Sequence, residues 1–195
     1  ACACAVIIIG SVLVSGLGLK FTQSVIDLSG GRLFPLLCLT AISAIILGMG
    51  MTTTAVYITV AALIVPSLIQ AGVTPIAAHM FAFYFGVVST ITPPVALASF
   101  AGAAIAKSPP MATAVESSKV GIAKYIVPFA FIYNPALLME GSYWISLYSL
   151  LSVLLAYWSM TLGLEGYLDK PLNVYTRIIA FVSSILLLLP PLSIF

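Results

Sequence analysis

Two short strings hold most of the groups that could do chemistry. They are Gly48-Met49-Gly50-Met51-Thr52-Thr53-Thr54 and Ser89-Thr90-Ile91-Thr92-Pro93-Pro94. Both offer neutral oxygens, from hydroxyls and from backbone carbonyls. Pro93 and Pro94 have no N–H, so in a helix the carbonyls of Ser89 and Thr90, four residues back, are expected to lack donors. Ser89, Thr90 and Thr92 add hydroxyl oxygens. Such a set suits a hard, singly charged cation, and unwound membrane backbone binds sodium in this way. Gly48 and Gly50 give the first string the freedom that a tight turn needs. Thr52, Thr53 and Thr54 then open a half-helix, whose free N–H groups and positive dipole end suit a substrate carboxylate. Hydroxyls in membrane helices also bond their own backbone, and proline also simply kinks a helix. A single break reads that way; two, each with clustered hydroxyls, favour an ion or substrate site.

The elements that must position these strings are apolar. The chain is 62% hydrophobic and 6% charged, with a mean hydropathy of +1.23, whereas soluble domains carry about 25% charged residues. No Asp, Glu, Lys or Arg occurs from Leu33 to Ala106. A soluble globule is excluded, because its surface could not be covered. The expected class is an all-α integral membrane protein, a transmembrane helix bundle in contact with the bilayer.

Along the chain, residues 1–19 form a first apolar segment. A short interfacial helix follows within 20–32, stopped by Gly30 and Gly31. Residues 33–70 read as two apolar arms around the Gly-rich string. Each arm has about 15 residues, short of the roughly 20 needed to span a bilayer. The pattern predicts a re-entrant helical hairpin, with two full spans and a tight turn as the competing reading. Pro75 starts a helix that breaks at residues 89–94 and resumes from Val95 to Ala106, a broken helix over 75–106. Ala98, Gly102 and Ala106 form a small-residue face that would let another helix approach. Residues 107–124 carry Lys107, Glu116, Lys119 and Lys124 and predict an amphipathic surface helix. Apolar stretches follow at 125–139, 142–164 and 178–195. The domain reading is 1–139 for one permease unit and 140–195 for extra C-terminal transmembrane helices. Three lysines against one acid place 107–124 in the cytoplasm. Alternation then puts Glu140 outside and 165–177 inside, and leaves Lys20 and Arg32 awkwardly outside.

Other residues carry less. His79 is the only histidine; it could relay protons, although a lone helical histidine more often packs and bonds locally. Asn134-Pro135 marks a helix kink or end. Cys2, Cys4 and Cys38 form no metal or disulfide framework. There is no phosphate loop, Ser/His/Asp set or zinc motif, so the chain is not expected to be an enzyme or to hold a cofactor or a metal beyond sodium. With no basic run, no nucleic-acid partner is expected. The chain opens at Ala1 and closes at Phe195, both inside apolar runs, and reads as an internal piece of something longer.

The two strings also carry a resemblance. With Ala77-Ala78-His79-Met80-Phe81-Ala82-Phe83-Tyr84-Phe85 and the region from Pro128-Phe129 to Asn134-Pro135, they resemble the large membrane subunit of tripartite ATP-independent periplasmic (TRAP) transporters, fused-permease type. The likeness covers about residues 10–140, and Ser-Thr-Ile-Thr-Pro-Pro-Val is its most specific part. The resemblance implies a sodium-coupled symporter for organic acids in a bacterial or archaeal inner membrane, multi-pass, working by an elevator motion of two inverted halves. It implies a periplasmic substrate-binding protein and a small membrane subunit as partners. Carried over, Gly48, Gly50, Thr52, Ser89, Thr90, Thr92 and Pro93 are expected to bind sodium, and Thr53 and Thr54 the substrate. Only one hairpin and one Ser/Thr-Pro-Pro string are present, so this stretch is not expected to transport alone. Residues 142–195 lie beyond the usual subunit. The alternative is a structural or assembly membrane subunit without a site of its own.

Overall fold

The computed structural model describes residues 7, 10, 11, 14–140, 142–168 and 172–188. Most of the first apolar segment, with Cys2 and Cys4, lies outside the described residues, as do Asp169, Lys170, Pro171 and the end of the last apolar stretch. The regular elements are helical: α1 Leu17–Ser29, α2 Leu33–Gly48, α3 Thr53–Leu63, α4 Val65–Gln70, α5 Pro75–Val88, α6 Leu97–Ala106, α7 Pro110–Val120, α8 Ala123–Tyr133, a 3-10 turn Pro135–Leu138, α9 Tyr143–Glu165 and α10 Val174–Leu188. They fall into two compact units, Ala1–Pro128 and Phe129–Phe195.

In the first unit α2 and α3 both pack on α5. Their meeting faces bury Leu37, Val56, Val60, Phe81 and Phe85 almost completely. Gly86 lets α3 come close, because a Cβ there would sit 2.9 Å from Val56 Cγ1. The opposite face of α2 exposes Phe34, Ile42 and Ile46. A helix that is apolar on its buried and its exposed side alike is built for lipid.

Several limits differ from expectation for local reasons. Helix α1 runs through Lys20, starting after Gly16 at φ 67° and ending at Gly30 at φ 59°. The second arm is not continuous: α3 ends at Leu63 and α4 starts at Val65. Pro66 cannot donate to the carbonyl four residues back, so the helix breaks ahead of it. The polar stretch is not one helix: it is helical over Pro110–Val120, turns at Gly121 and Ile122, and runs into α8 from Ala123. The inward side of α7 carries Ala114, Ser117 and Ser118, small or hydroxylic residues where an amphipathic surface helix would place large apolar ones. The stripe of Ala98, Gly102 and Ala106 is exposed, and Ser99 and Ala103 are the buried side of α6. Among the described residues no helix approaches across that stripe.

In the second unit α9 and α10 pack along each other. Gly163 is the close point, since a Cβ there would lie 3.1 Å from the Arg177 carbonyl and 3.2 Å from Phe181 N. Ser159 Oγ donates to the Ala180 carbonyl at 2.8 Å and meets Ser183 Oγ at 2.9 Å. Helix α9 is long and apolar enough to cross a membrane, with 23 residues; at 1.5 Å per residue that is about 35 Å, against about 30 Å of hydrocarbon. Exposed Tyr143 and Trp144 stand at one end of it and exposed Tyr167 just past the other, as in the aromatic belts of membrane interfaces. Within this unit Asn134 is buried, and its Nδ2 donates to Ser149 Oγ at 2.9 Å.

Candidate ion and substrate site

The Gly-rich string folds as a single tight turn. The Met51 N–H reaches back to the Gly48 carbonyl at 3.4 Å. Met49 sits at φ −64°, ψ 120° and Gly50 at φ 80°, which are the angles of a type II turn. That turn needs a positive φ at its third residue, and Gly50 supplies it. Thr52 is extended and its carbonyl accepts from Val56 N at 2.9 Å, opening α3. Thr52, Thr53 and Thr54 are all exposed.

The second string is irregular from Ser89 to Ala96 between α5 and α6, and the Pro93–Pro94 peptide is cis. Its start tightens into successive short turns: Thr90 N to the Val87 carbonyl, Ile91 N to Val88 and Thr92 N to Ser89, at 3.1, 3.0 and 3.3 Å. Ala98 N then reaches back to the Thr90 carbonyl at 3.0 Å. This corrects the expectation that the Ser89 and Thr90 carbonyls lack donors. The chain tightens to i→i+3 spacing ahead of the prolines, and a free N–H from the start of α6 closes the loop.

The hydroxyl protons are held close to home. Ser89 Oγ, fully buried, lies 2.6 Å from the Gly86 carbonyl, and Thr90 Oγ1 donates to Val87 at 2.7 Å. Thr92 Oγ1 lies 2.7 Å from the Val88 carbonyl. Ser89 Oγ also lies 3.1 Å from the carbonyl of Gly48. The tip of the first string thus rests on the start of the second, 41 residues away. Gly48 makes this possible, because a Cβ there would run into Ser89 Oγ and lie 2.7 Å from Ser89 Cβ. Of the predicted residues, Gly48 and Ser89 are brought into direct contact. Gly50 lies on the exposed side of the tip, its nearest foreign atom from a built Cβ being Val95 Cγ1 at 3.9 Å. Pro93 is half-buried within the break.

Thr92 meets a residue that the sequence did not single out. Its Oγ1 lies 2.6 Å from Tyr125 Oη on α8, and Tyr125 Oη lies 3.5 Å from Ser118 Oγ on α7. Ser118 Oγ in turn reaches the Ile91 carbonyl at 3.0 Å. The polar stretch after α6 therefore folds back and braces the break. Its only forewarning was an excess of hydroxyls in 107–125. His79 meets Tyr57 Oη through Nδ1 at 3.0 Å, joining α5 to α3. Among the described residues, no group of three or more His, Cys, Asp or Glu could hold a metal ion.

The class these features define is a helical membrane protein in which two irregular turns meet and present neutral oxygens. Residues 1–143 match the family model described as tripartite ATP-independent periplasmic transporter, DctM component, and the chain belongs to that family. It is a membrane transport component and not an enzyme. No curated protein and no solved structure matches it.

Proposed function

We propose that this chain is part of the permease of a sodium-coupled importer of organic acids, fed by a periplasmic binding protein. One observation carries the reading: Ser89 Oγ, fully buried, bonded to the Gly48 carbonyl at 3.1 Å. It joins the two irregular turns at one point. Irregular backbone at membrane depth is tolerated where protein or a wet cavity satisfies it, and transport sites are built from such pairs.

In this reading Gly48, Gly50, Thr52, Ser89, Thr90, Thr92 and Pro93 offer oxygens to sodium. Thr53 and Thr54, at the start of α3, offer N–H groups and hydroxyls to a carboxylate. Helices α2 and α3, with 16 and 11 residues, are about 24 and 16 Å long at 1.5 Å per residue, too short to span and suited to a re-entrant hairpin. Residues 1–139 then form one half of an elevator-type inverted repeat, and 140–195 add transmembrane helices. The other half and a small membrane subunit complete the multi-pass assembly in the cell membrane.

The competing reading is a structural subunit. The internal bonds of the Ser89, Thr90 and Thr92 hydroxyls favour it. Those bonds occupy protons, however, and leave oxygen lone pairs, which are what a cation needs.

The test is uptake by the complete transporter, with binding protein, at varied sodium. Thr92→Val and Ser89→Ala should raise the sodium half-saturation by about tenfold or more, as a polar contact to a charged group is worth about 1.5–3 kcal/mol. Unchanged sodium dependence in both variants, with normal expression, sinks the site.

A further inference from the structure

We infer that Arg177, with the groove below it on α10, binds an anionic phospholipid. Arg177 is half-buried one turn into α10. Its guanidinium is fixed against the end of α9: Nε donates to the Gly163 carbonyl at 3.1 Å and Nη2 to Leu164 at 2.8 Å. Gly166, at φ 68°, lies flat beneath it, for a Cβ there would come within 2.6 Å of Nε. These bonds use two of the five N–H groups of an arginine and leave three. Among the described residues the one ion pair is Lys119 with Glu116, and no described carboxylate pairs with Arg177, not even Glu165, two residues past Gly163 on α9.

A cavity of about 290 Å³ opens beside this cation, walled by Gly163, Val174, Ile178, Phe181 and Val182. Except for Gly163 these are one face of α10. From Val174 to Val182 the face descends about 12 Å at 1.5 Å per residue. Val174, Ile178, Phe181 and Val182 are all exposed. Exposed Tyr167 and Tyr175 mark the headgroup level at this end. A fixed cation at the headgroup level, above an apolar trough running into the hydrocarbon, complements one amphiphile: an anionic head joined to an acyl chain. The bare anion lacks the chain, and a zwitterionic lipid presents its own cation to the guanidinium.

The inference is independent of the transport reading. The test uses the whole chain in detergent micelles, titrated with short-chain phosphatidylglycerol and with phosphatidylcholine of the same chain length. Phosphatidylglycerol should bind saturably and about tenfold tighter, equivalent to about 1.4 kcal/mol. Arg177→Gln should bring the two lipids to near equality. Arg177→Lys should keep part of the preference, as a point charge without the planar fork. Val182→Trp, which fills the trough and leaves the guanidinium in place, should weaken both lipids and keep their ratio. Inorganic phosphate should not compete. Equal binding of the two lipids by the unaltered chain, or an undiminished preference in a helical, monodisperse Arg177→Gln protein, overturns the site; so does competition by phosphate at matched concentration.

Discussion

Replacing Gly48 by alanine tests the contact on which the candidate site stands. The added methyl would strike Ser89 Oγ, and it would lie 2.7 Å from Ser89 Cβ and 3.1 Å from Val56 Cγ1. A hydroxyl can rotate away, but Ser89 Cβ is held by its own backbone. Relief must therefore come from parting the end of α2 from the end of α5. Overpacking of this kind costs about 1–3 kcal/mol. Parting the helices also loses the Ser89 bond to the Gly48 carbonyl, worth about 1 kcal/mol. A total of about 2–4 kcal/mol corresponds to a fall in melting temperature of roughly 5–15 °C, at about 2–4 °C per kcal/mol for a chain of this size. Ser89→Gly removes both offending atoms. The double variant should then melt close to Ser89→Gly alone, with a coupling of at least about 1 kcal/mol. The assay is thermal unfolding of the purified chain in one detergent, for the unaltered protein, both single variants and the double. A Gly48→Ala protein that melts with the parent, or costs that simply add, would show that the two turns do not touch.

Gly50→Ala should lower stability by about 1 kcal/mol through its positive φ alone, since the space around it is open, and Gly50→Asn should cost less; the same melting assay decides. Tyr125→Phe should raise the sodium half-saturation of the complete transporter several-fold at unchanged maximal uptake. Combined with Thr92→Val it should add nothing, because its effect passes through that hydroxyl; an independent loss would make Tyr125 a packing residue. Sodium-driven uptake into liposomes should survive His79→Gln, whose amide can still meet Tyr57 Oη, whereas proton-driven uptake abolished by that change would reassign the coupling ion.

What could be read from the sequence is what backbone chemistry writes locally. Gly30 and Gly31 ended α1 as expected, because left-handed glycine closes a helix within one residue of where it stands. The turn at Gly48–Met51 and the irregular segment ahead of Pro94 were legible for the same reason. Pro66 was an equally local signal, and reading the second apolar arm of 33–70 as continuous passed over it. Long-range pairing left no such mark. Nothing in Tyr125 announces Thr92, which lies 33 residues earlier, since a tyrosine in a mixed polar stretch fits an interface equally well. The Ala98, Gly102 and Ala106 stripe, exposed here, shows the converse. Small-residue spacing states that a helix can be approached, and the neighbours decide whether it is.

The same asymmetry bears on what the two turns could bind. From Leu33 to Ala106 the chain offers no fixed charge, so any ion held there is held by dipoles. The hydroxyls of Ser89, Thr90 and Thr92 each have a carbonyl within 2.7 Å, at Gly86, Val87 and Val88. Each hydroxyl has a single proton. With those protons engaged, what the break can still offer a ligand is acceptor capacity. Donors are offered nearby and separately, by the first N–H groups of α3 behind Thr52. Acceptors without protons favour a cation, and unengaged N–H groups favour an anion. A sodium ion and a carboxylate differ in just this respect. On the proposed reading, two turns that meet at Gly48 and Ser89 sort opposite charges without one ionised side chain.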